Sequence, residues 1–239
     1  MSATLRERAA VARRRVDALR HRGNAVECPL CGGRFDRFKA DWNRPDALCW
    51  RCGSHERHRT QWLLLERRPA LLDDARSLLH FAPEWSLRRR LRTIDHLRYV
   101  TADLDPAGVD LRLDITALDL PGGTFDAVLC SHVLEHVPDD ARAMAELRRV
   151  TAPGGWCLVM VPLALDRERT YEDPTITAPH ERERAFLQHD HVRLYTPDIA
   201  GRLEAAGFAV EVIDMYAELG PAAVRHRLQP ADLAFLCRA

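Results

Sequence analysis

The chain has 239 residues, an apolar fraction of 46% and a formal net charge of zero. This length suits one domain of about 150–200 residues with a small appendage. No apolar run approaches the roughly 20 residues of a membrane span, and the charged N-terminus lacks the apolar core of a signal peptide. These features exclude an integral membrane protein, and we expect a cytoplasmic monomer or homodimer with no membrane contact.

The neutral total hides a difference between the two ends of the chain. Residues 1–70 carry 16 basic and 8 acidic side chains, whereas residues 71–239 carry 19 and 27. A basic segment of this kind is able to bind phosphate groups or RNA. The simpler interpretation is that its basic face docks on the acidic domain of the same or another subunit.

The first predicted element is an amphipathic helix over residues 3–21. Apolar residues from Leu5 to Leu19 recur at steps of three and four, with arginines between them. This is the periodicity of a helix with one apolar face, and Gly23 ends it. We therefore assign residues 1–24 to a basic helical segment.

Two CxxC pairs follow. They contain Cys28, Cys31, Cys49 and Cys52, and a glycine follows each pair, where the chain must turn under a metal ion. Four thiolates at this spacing predict a tetrahedral, structural Zn²⁺ with no open position. Disulfides are the alternative, but they are rare in the cytosol, and a redox CxxC lacks its βαβ context here.

Two histidines close to the second pair are alternative ligands. We expect His55 and His58 instead near or on the next helix, which Ser54 could cap. Residues 25–70 are thus predicted to form a zinc ribbon and a linking helix. The other three cysteines lie in apolar runs and read as small core residues.

From residue 76 onward, short apolar runs alternate with several helical stretches. The runs are residues 76–81, 98–102, 109–113, 125–130 and 156–161. This alternation predicts an α/β domain with a mostly parallel sheet and helices on both faces. Ligands of such sheets bind at the carboxyl ends of the strands, near the point where the strand order reverses.

Polar groups stand where these runs end. Asp103 closes the second run, where a carboxylate can accept both hydroxyls of a ribose. Asp114 and Ile115 close the third run and offer a carboxylate and a backbone amide to an adenine edge. After the fourth run, a helix is predicted to begin near Pro138, with acidic residues in its first turn and arginines in its last.

The segment FDAVLCSHVLEHVPDDARAMAELRRVTAPGGWCLVMVP, residues 125–162, resembles the class I S-adenosylmethionine-dependent methyltransferases, particularly the type-11 group. The resemblance covers about residues 71–239 and is most specific over 98–162. It implies a Rossmann-like, seven-stranded, mostly parallel sheet whose last strand is antiparallel. It also implies S-adenosylmethionine as cofactor, with Leu104, Cys130 and Ser131 among its contacts.

The first loop departs from that family. In LLHFAPEWSL, His80 stands where an acid is common, and Ala82, Glu84 and Ser86 stand where glycines usually lie. We interpret the loop as remodelled with the cofactor retained, so that His80 and Ala82 adjoin it and Glu84 pairs with its methionyl ammonium. The alternative is that Glu84 merely begins the following helix, where an acid is favoured.

In the family, the methyl group points towards the loops after the fourth and fifth strands. The long polar segment over residues 163–198 is predicted to be a lid or substrate loop. The candidate catalytic residues are His132, one residue past the fourth strand, and His189, His191 and Tyr171 of the lid. Alternation in HDHVRLY would place His189, His191, Arg193 and Tyr195 on one face of a strand, where they could hold an anionic or hydroxylated substrate and take its proton. A metal at His189, Asp190 and His191 and a merely solvated lid are the alternatives, while His136 is expected to pack rather than to react.

These observations predict a methyltransferase that acts on the oxygen or nitrogen of a small molecule, such as a secondary metabolite. An RNA methyltransferase that grips nucleic acid through the basic zinc segment is the first alternative. A zinc-binding scaffold without catalysis is the second. Methyl transfer requires positioning and sometimes a base, but no particular residue type, so the sequence identifies the cofactor better than the acceptor.

Overall fold

A computed structural model describes residues 13–14, 16–42 and 44–239. Residues 16–20 are helical, and most of the helix predicted over residues 3–21 lies outside the described residues. Among the described residues, none of the helices combines the length and apolar character needed to cross a bilayer.

The helices and strands alternate along most of the chain. The strands are β1 (Arg22–Cys28), β2 (Gly33–Phe35), β3 (Lys39–Asp41), β4 (Arg44–Leu48), β5 (Ser77–Phe81), β6 (Arg98–Asp103), β7 (Leu111–Arg112), β8 (Phe125–Ser131), β9 (Thr151–Met160), β10 (Tyr171–Glu172), β11 (Arg193–Leu194), β12 (Ala209–Ile213) and β13 (Ala234–Arg238). The helices are α1 (Glu56–Arg67), α2 (Ala70–Asp73), α3 (Trp85–Leu91), α4 (Asp140–Val150), α5 (Pro179–Phe186), α6 (Ile199–Ala205), α7 (Met215–Leu219) and α8 (Pro221–Arg225), with a 3₁₀ turn at Leu134–His136.

The chain forms two compact units, and neither is a single stretch of sequence. The first holds the described residues up to Arg67 together with Glu84–Arg90 and Met215–Pro230. The second holds Arg68–Pro83, Leu91–Asp214 and Ala231–Ala239. The sequence analysis assigned residues 71–239 to the methyltransferase domain. Two segments of that range belong to the first unit in the structure.

Within the first unit, two hairpins, β1–β2 and β3–β4, precede helix α1. Arg59 on α1 is fully buried and holds the unit together through its guanidinium group. It donates hydrogen bonds to the carbonyl groups of Ser54 at 2.7 Å and of His226 at 2.7 Å, and it lies over the ring of Phe38. These bonds explain why the segment around His226 belongs with the ribbon.

The second unit is built on a seven-stranded sheet in the order β12-β13-β9-β8-β5-β6-β7. Strand β13 is antiparallel to β9 and β12, while β5 to β9 pair in parallel. The predicted Rossmann-like α/β fold is therefore confirmed, including its antiparallel last strand. The strand order reverses between β5 and β8, which makes their carboxyl ends the expected place for a ligand.

Helix α4 has the end charges and apolar face that the sequence predicts. The Asp139 carboxylate caps it by accepting a hydrogen bond from the Arg142 amide at 3.0 Å, and Arg148 and Arg149 lie in the last turn. Met144 and Leu147 on the inner face are fully buried in the core of the sheet. The position of α4 in turn sets the loop between β8 and α4.

The segment predicted as a lid has secondary structure of its own. Strands β10 and β11 pair in antiparallel fashion around helix α5, and a small core of Ala164, Phe186 and Leu194 lies beneath. Within HDHVRLY only Arg193–Leu194 is a strand. His191, Arg193 and Tyr195 are buried, but His189 is exposed, so the predicted common face of four side chains is wrong for His189.

Candidate active site

A cavity of about 600 Å³ lies in the second unit at the carboxyl ends of β5, β6, β7 and β8. Its volume falls within the usual range for small-molecule sites. It is lined by Phe81, Ala82, Asp103, Leu104, Leu113, Asp114, Ile115, Thr116, His132, Val133, His136, Val137, Pro138 and Asp190. Six of the residues predicted to contact the cofactor or substrate lie on this wall: Ala82, Asp103, Leu104, Asp114, Ile115 and His132.

The two predicted nucleotide-binding carboxylates differ in their surroundings. The Oδ1 atom of Asp103 accepts the Asp105 amide at 3.1 Å, a contact that folds the loop after β6. The Oδ1 atom of Asp114 accepts both the hydroxyl group of Thr116 at 2.7 Å and its amide at 2.8 Å. These bonds lower the pKa of Asp114, so this carboxyl group is ionised and its turn holds Ile115 at the cavity wall.

Two residues of the cavity wall have left-handed backbone although neither is glycine. Ala82 has φ +45° and His132 has φ +55°. The Ala82 amide still donates to the Ala102 carbonyl at 2.8 Å, and the His132 amide to the Met160 carbonyl at 2.8 Å. Such conformations cost about 1–2 kcal/mol each and are concentrated at functional sites. The loop after β5 thus has a glycine-like backbone without a glycine.

Four predicted cofactor contacts are not among the described lining residues. His80 is fully buried inside β5, where its Nδ1 lies 2.8 Å from the Tyr99 hydroxyl group. Cys130 and Ser131 are buried at the end of β8. Glu84 belongs to the first unit, and its Oε1 lies 3.5 Å from Nε2 of His58. Their predicted cofactor contacts stay predictions.

The candidate catalytic histidines and tyrosine have different environments. His132 lines the cavity, with its Nδ1 3.4 Å from Oε1 of the buried Glu135. His191 is buried beneath the cavity wall, and burial lowers its pKa. His189 is exposed, and the Tyr171 ring packs on Phe186. His132 is therefore the only one of the four among the described lining residues.

The polar groups of Arg193 and Tyr195 are engaged in hydrogen bonds and ion pairs within the protein, so they do not face a substrate. The Arg193 guanidinium group donates to the carbonyl groups of Leu134, Val137 and Pro138, and it pairs with Glu172 at 2.9 Å. The Tyr195 hydroxyl group donates to Asp140 at 2.7 Å, and burial raises the pKa of Tyr195. Their predicted role in holding substrate gives way to a structural one, because both side chains fix the loop between β8 and α4.

The first unit brings the four predicted metal-binding thiol groups together. The sulfur atoms of Cys28, Cys31, Cys49 and Cys52 lie within 4.8 Å of one another, and the Cys28–Cys52 and Cys31–Cys49 distances are both 3.6 Å. Metal–sulfur bonds of about 2.3 Å in a tetrahedron place sulfur atoms about 3.8 Å apart, whereas a disulfide bond is about 2.05 Å long. The arrangement fits one four-coordinate metal ion.

The chain around these thiol groups also suits a metal site. Gly32 and Gly53 both have φ +66°, and their amides donate to the carbonyl groups of Cys28 and Cys49 at 2.8 Å. The Ser54 hydroxyl group lies 3.2 Å from the Cys28 sulfur and 3.3 Å from the Cys52 sulfur. Ser54 thus contacts the sulfur atoms, and the predicted helix cap is replaced by the Nδ1 of His58, which accepts the His55 amide at 3.2 Å.

Sequence reasoning assigned no site role to Glu135 or His136, and it considered Asp190 only as a ligand of the alternative metal site. The structure groups Glu135, His136 and His191 as possible metal ligands, with Asp190 beside them. The alternative metal site considered from sequence, at His189, Asp190 and His191, has only one residue in this group. The neighbouring Glu135 and His136 in the loop after β8 were the available signal for this metal site. The third residue of the group, His191, comes from the HDH segment, which is far away in sequence.

Comparisons with known proteins agree with this fold. The sequence model of a family described as a methyltransferase domain matches residues 53–212. The chain belongs to this family, and its seven-stranded sheet has the Rossmann-like fold that the sequence predicts.

Among individual proteins, the chain is 33% identical over 126 residues to an uncharacterized 37.1 kDa protein in transposon TN4556 of Streptomyces fradiae. That alignment covers 50% of this chain and 34% of the relative, so the chain matches only about a third of the relative's length. A methyltransferase structure from Archaeoglobus fulgidus has a TM-score of 0.52 at 14% identity, over 76% of this chain and 94% of that one. The [4+2]-cyclase SpnF has a TM-score of 0.55 at 17% identity, over 88% and 90%. These two structures are similar in fold.

Proposed function

We propose that the cavity binds S-adenosylmethionine and that the acceptor is a small molecule methylated on oxygen or nitrogen. Asp103 binds the ribose hydroxyl groups, and Asp114 with Ile115 flanks the adenine. The observation that carries this proposal is the position of Asp103: it ends the strand next to the reversal of strand order and lines the cavity. The cofactor supplies an electrophilic methyl group, so the protein has to orient the two reactants and exclude water.

The charge of the cavity wall favours a small molecule over nucleic acid. The described lining residues include Asp103, Asp114 and Asp190 but neither lysine nor arginine. A phosphate backbone would find no counter-charge there. His132 and His136 also line the cavity, and an imidazole beside the acceptor can take the proton that leaves a hydroxyl or amino group on methylation. His132 is the first candidate for this base, ahead of His189, His191 and Tyr171.

The metal ion of the first unit is Zn²⁺ with a structural role. Four thiolates favour zinc among the common cellular metals and leave it no open position. The Ser54 hydroxyl group, 3.2 Å from the Cys28 sulfur, adds a contact of the kind that orients metal ligands. We therefore assign no step of methyl transfer to this zinc.

The role of Asp103 is tested by calorimetric titration of S-adenosylmethionine and S-adenosylhomocysteine. Asp103→Ala should weaken both ligands by about 1–3 kcal/mol, or roughly 5- to 150-fold, because it removes a half-buried hydrogen-bonding partner of the ribose. Asp105→Ala is the matched control, since Asp105 is an exposed carboxylate in the same loop that is not among the described lining residues. Equal affinities of wild type and Asp103→Ala would contradict the assignment.

One observation supports an RNA methyltransferase as the second candidate. Trp42, in the turn between β3 and β4, is 96% exposed, and the side chains of Arg37 and Lys39 nearby are also exposed. An exposed indole among cations can stack on a base while the cations bind phosphate. If this surface binds RNA, the affinity for single-stranded RNA should fall steeply with salt and should drop in Trp42→Ala. If RNA binding is weak and Trp42→Ala does not change it, the RNA proposal fails and the small-molecule acceptor remains the only candidate of the two.

A further inference from the structure

A second group of side chains that could hold a metal ion lies in the second unit. Glu135, His136 and His191 each bring one ligand atom to within 4.8 Å of the other two. The first two belong to the 3₁₀ turn after β8, and His191 precedes β11. The Val192 amide donates to the Glu135 carbonyl at 2.9 Å, so a backbone hydrogen bond joins the two segments at this point. We call these three residues the Glu-His-His cluster.

The strongest indication of a bound cation in this cluster is the buried carboxylate group of Glu135. Its side chain is only 2% exposed, and neither carboxylate oxygen accepts a hydrogen bond from the described residues. The nearest basic group is His132, whose Nδ1 lies 3.4 Å from Oε1. An isolated buried carboxylate is very unfavourable, and such groups are usually neutralised, paired or bound to a metal. A buried acceptor without a donor calls for a physical explanation, and a bound cation supplies one.

Both histidines are oriented as metal ligands. The Nδ1 atom of His191 lies 3.1 Å from the Phe186 carbonyl oxygen. A carbonyl group can only accept, so Nδ1 carries the proton and Nε2 keeps its lone pair. The Nδ1 atom of His136 lies 3.3 Å from Oδ2 of Asp190, which favours the same tautomer. A ring held at one nitrogen by a carbonyl or carboxylate, with the other nitrogen free, is the usual arrangement of a metal-bound histidine.

We propose that Glu135, His136 and His191 bind a divalent ion of the first transition row, such as Zn²⁺, Mn²⁺ or Fe²⁺. Two imidazoles and one carboxylate suit these ions better than Mg²⁺ or Ca²⁺, which prefer oxygen ligands. Three protein ligands leave at least one position for another molecule. His136 lines the cavity, so the open position faces the space where the acceptor would bind.

This site narrows the acceptor class, and that step rests on the proposed function. An open metal position beside the methyl donor would hold an oxygen atom of the acceptor and lower the pKa of a bound hydroxyl group. The acceptor would then be a compound with two neighbouring oxygen donors, such as a catechol. His132, which adjoins Glu135 and lines the cavity, is placed to receive the proton.

Metal binding is measured without cofactor or acceptor, so its outcome does not depend on the proposed function. Full-length protein purified with one zinc ion per chain in the thiol cluster is titrated with Zn²⁺ by calorimetry, and metal content is confirmed by elemental analysis. Wild type should take up a second ion. Glu135→Gln and His191→Gln should each weaken this second site at least about tenfold, and His180→Gln, at an exposed histidine of α5, should leave it unchanged. A single zinc ion per wild-type chain, or tight second binding in Glu135→Gln, would overturn the proposal.

Glu135→Gln also provides a test that a misfolded variant cannot mimic. Before the second ion is added, the melting temperature of Glu135→Gln should equal or exceed that of wild type, because a neutral amide is cheaper to bury than a carboxylate that accepts no hydrogen bond from the described residues. After Zn²⁺ is added, only wild type should gain stability. A Glu135→Gln protein that is less stable than wild type without the second ion would show that Glu135 has another partner, and the proposal would fail.

The open position has its own probe. Catechol is added to protein whose second site holds Co²⁺, and the visible spectrum of the ion is recorded. Bound catechol should change the cobalt bands in wild type, whereas resorcinol, whose two hydroxyl groups are not neighbours and cannot chelate one ion, should change them much less. An unchanged spectrum with catechol would overturn the oxygen-donor class, whatever the protein's methyl-transfer activity.

Discussion

The thiol cluster and the cavity wall both require left-handed backbone, and they meet this requirement with different residues. Gly32 and Gly53 have φ +66° beside the thiol groups, whereas Ala82 has φ +45° and His132 has φ +55° at the cavity. Glycine adopts this conformation freely, but other residues pay about 1–2 kcal/mol. The ribbon needs only the turn, while His132 is strained where its side chain faces the cavity. Other non-glycine residues with left-handed backbone, such as Trp42 and Leu187, lie away from the cavity wall, whereas Ala82 and His132 line it.

The two ligand groups differ in the same way. The thiol cluster has four ligands, which complete a tetrahedron and leave no position for another molecule. The Glu-His-His cluster has three, and His136 also belongs to the cavity wall. We infer that the first group stabilises its unit and that the second serves the reaction. Variants in the two regions should therefore affect different properties.

The largest effect is expected from Cys49→Ser. Loss of one thiolate should remove most of the zinc and cost several kcal/mol, since zinc binding supplies much of the folding free energy of small ribbons. Elemental analysis and thermal unfolding measure both quantities. Cys237→Ala, in a core strand of the sheet, is the control and should keep its zinc. A Cys49→Ser protein with full zinc and full stability would mean that the four thiol groups are not the ligands.

A smaller effect, confined to the other unit, is expected from Arg193→Leu. The guanidinium group, 3% exposed, neutralises Glu172 and binds the carbonyl groups around the 3₁₀ turn. Its loss leaves buried carbonyl groups without a donor, at about 1–3 kcal/mol for each group, while Glu172 keeps its second partner, Arg202, at 2.7 Å. Chemical denaturation should detect this change with no loss of zinc. Arg184→Leu, at an exposed position of α5, should change stability by less than about 0.5 kcal/mol.

The thiol cluster could be predicted from sequence because its chemistry is local. Each CxxC pair positions two sulfur atoms within one turn, and the glycine that follows indicates the turn itself. The strands of the sheet were also predictable from local sequence, because buried strands appear in the sequence as short, continuous apolar runs. Asp103 and Asp114 followed from the rule that strand ends meet at one edge of a parallel sheet.

The Glu-His-His cluster could not be predicted in this way. His191 reaches Glu135 only because β10, α5 and β11 fold back on the loop after β8, and no local pattern specifies that return. Arg193 and Tyr195 appeared suited to substrate for the same reason: their partners are carbonyl groups and carboxylates far away in sequence. Glu84 is a similar case, because its neighbour His58 lies in another segment of the first unit.

Glu84→Gln tests to which region Glu84 belongs. Its side chain is 13% exposed and lies beside that of His58, which is 6% exposed. We expect the substitution to destabilise the first unit by about 1–3 kcal/mol, because it removes the charge that faces the buried His58, and to leave cofactor affinity unchanged. Weaker binding of S-adenosylmethionine and S-adenosylhomocysteine, with adenosine unaffected, would instead support the predicted pairing of Glu84 with the methionyl ammonium.

The smallest effects concern backbone strain, and they should have opposite signs in the two regions. An added Cβ at Gly32 would meet no atom within 4 Å, so Gly32→Ala isolates the conformational penalty and should cost about 1 kcal/mol. Ala82→Gly relieves the same penalty but loosens the unfolded chain, which offsets part of the gain, and stability should change by less than about 1 kcal/mol. Denaturant titration of both variants measures this difference. If Ala82→Gly destabilises the protein as much as Gly32→Ala does, the Ala82 methyl group must make a stabilising contact at the cavity. That contact, rather than a requirement of cofactor binding, would then explain the conformation of the loop after β5.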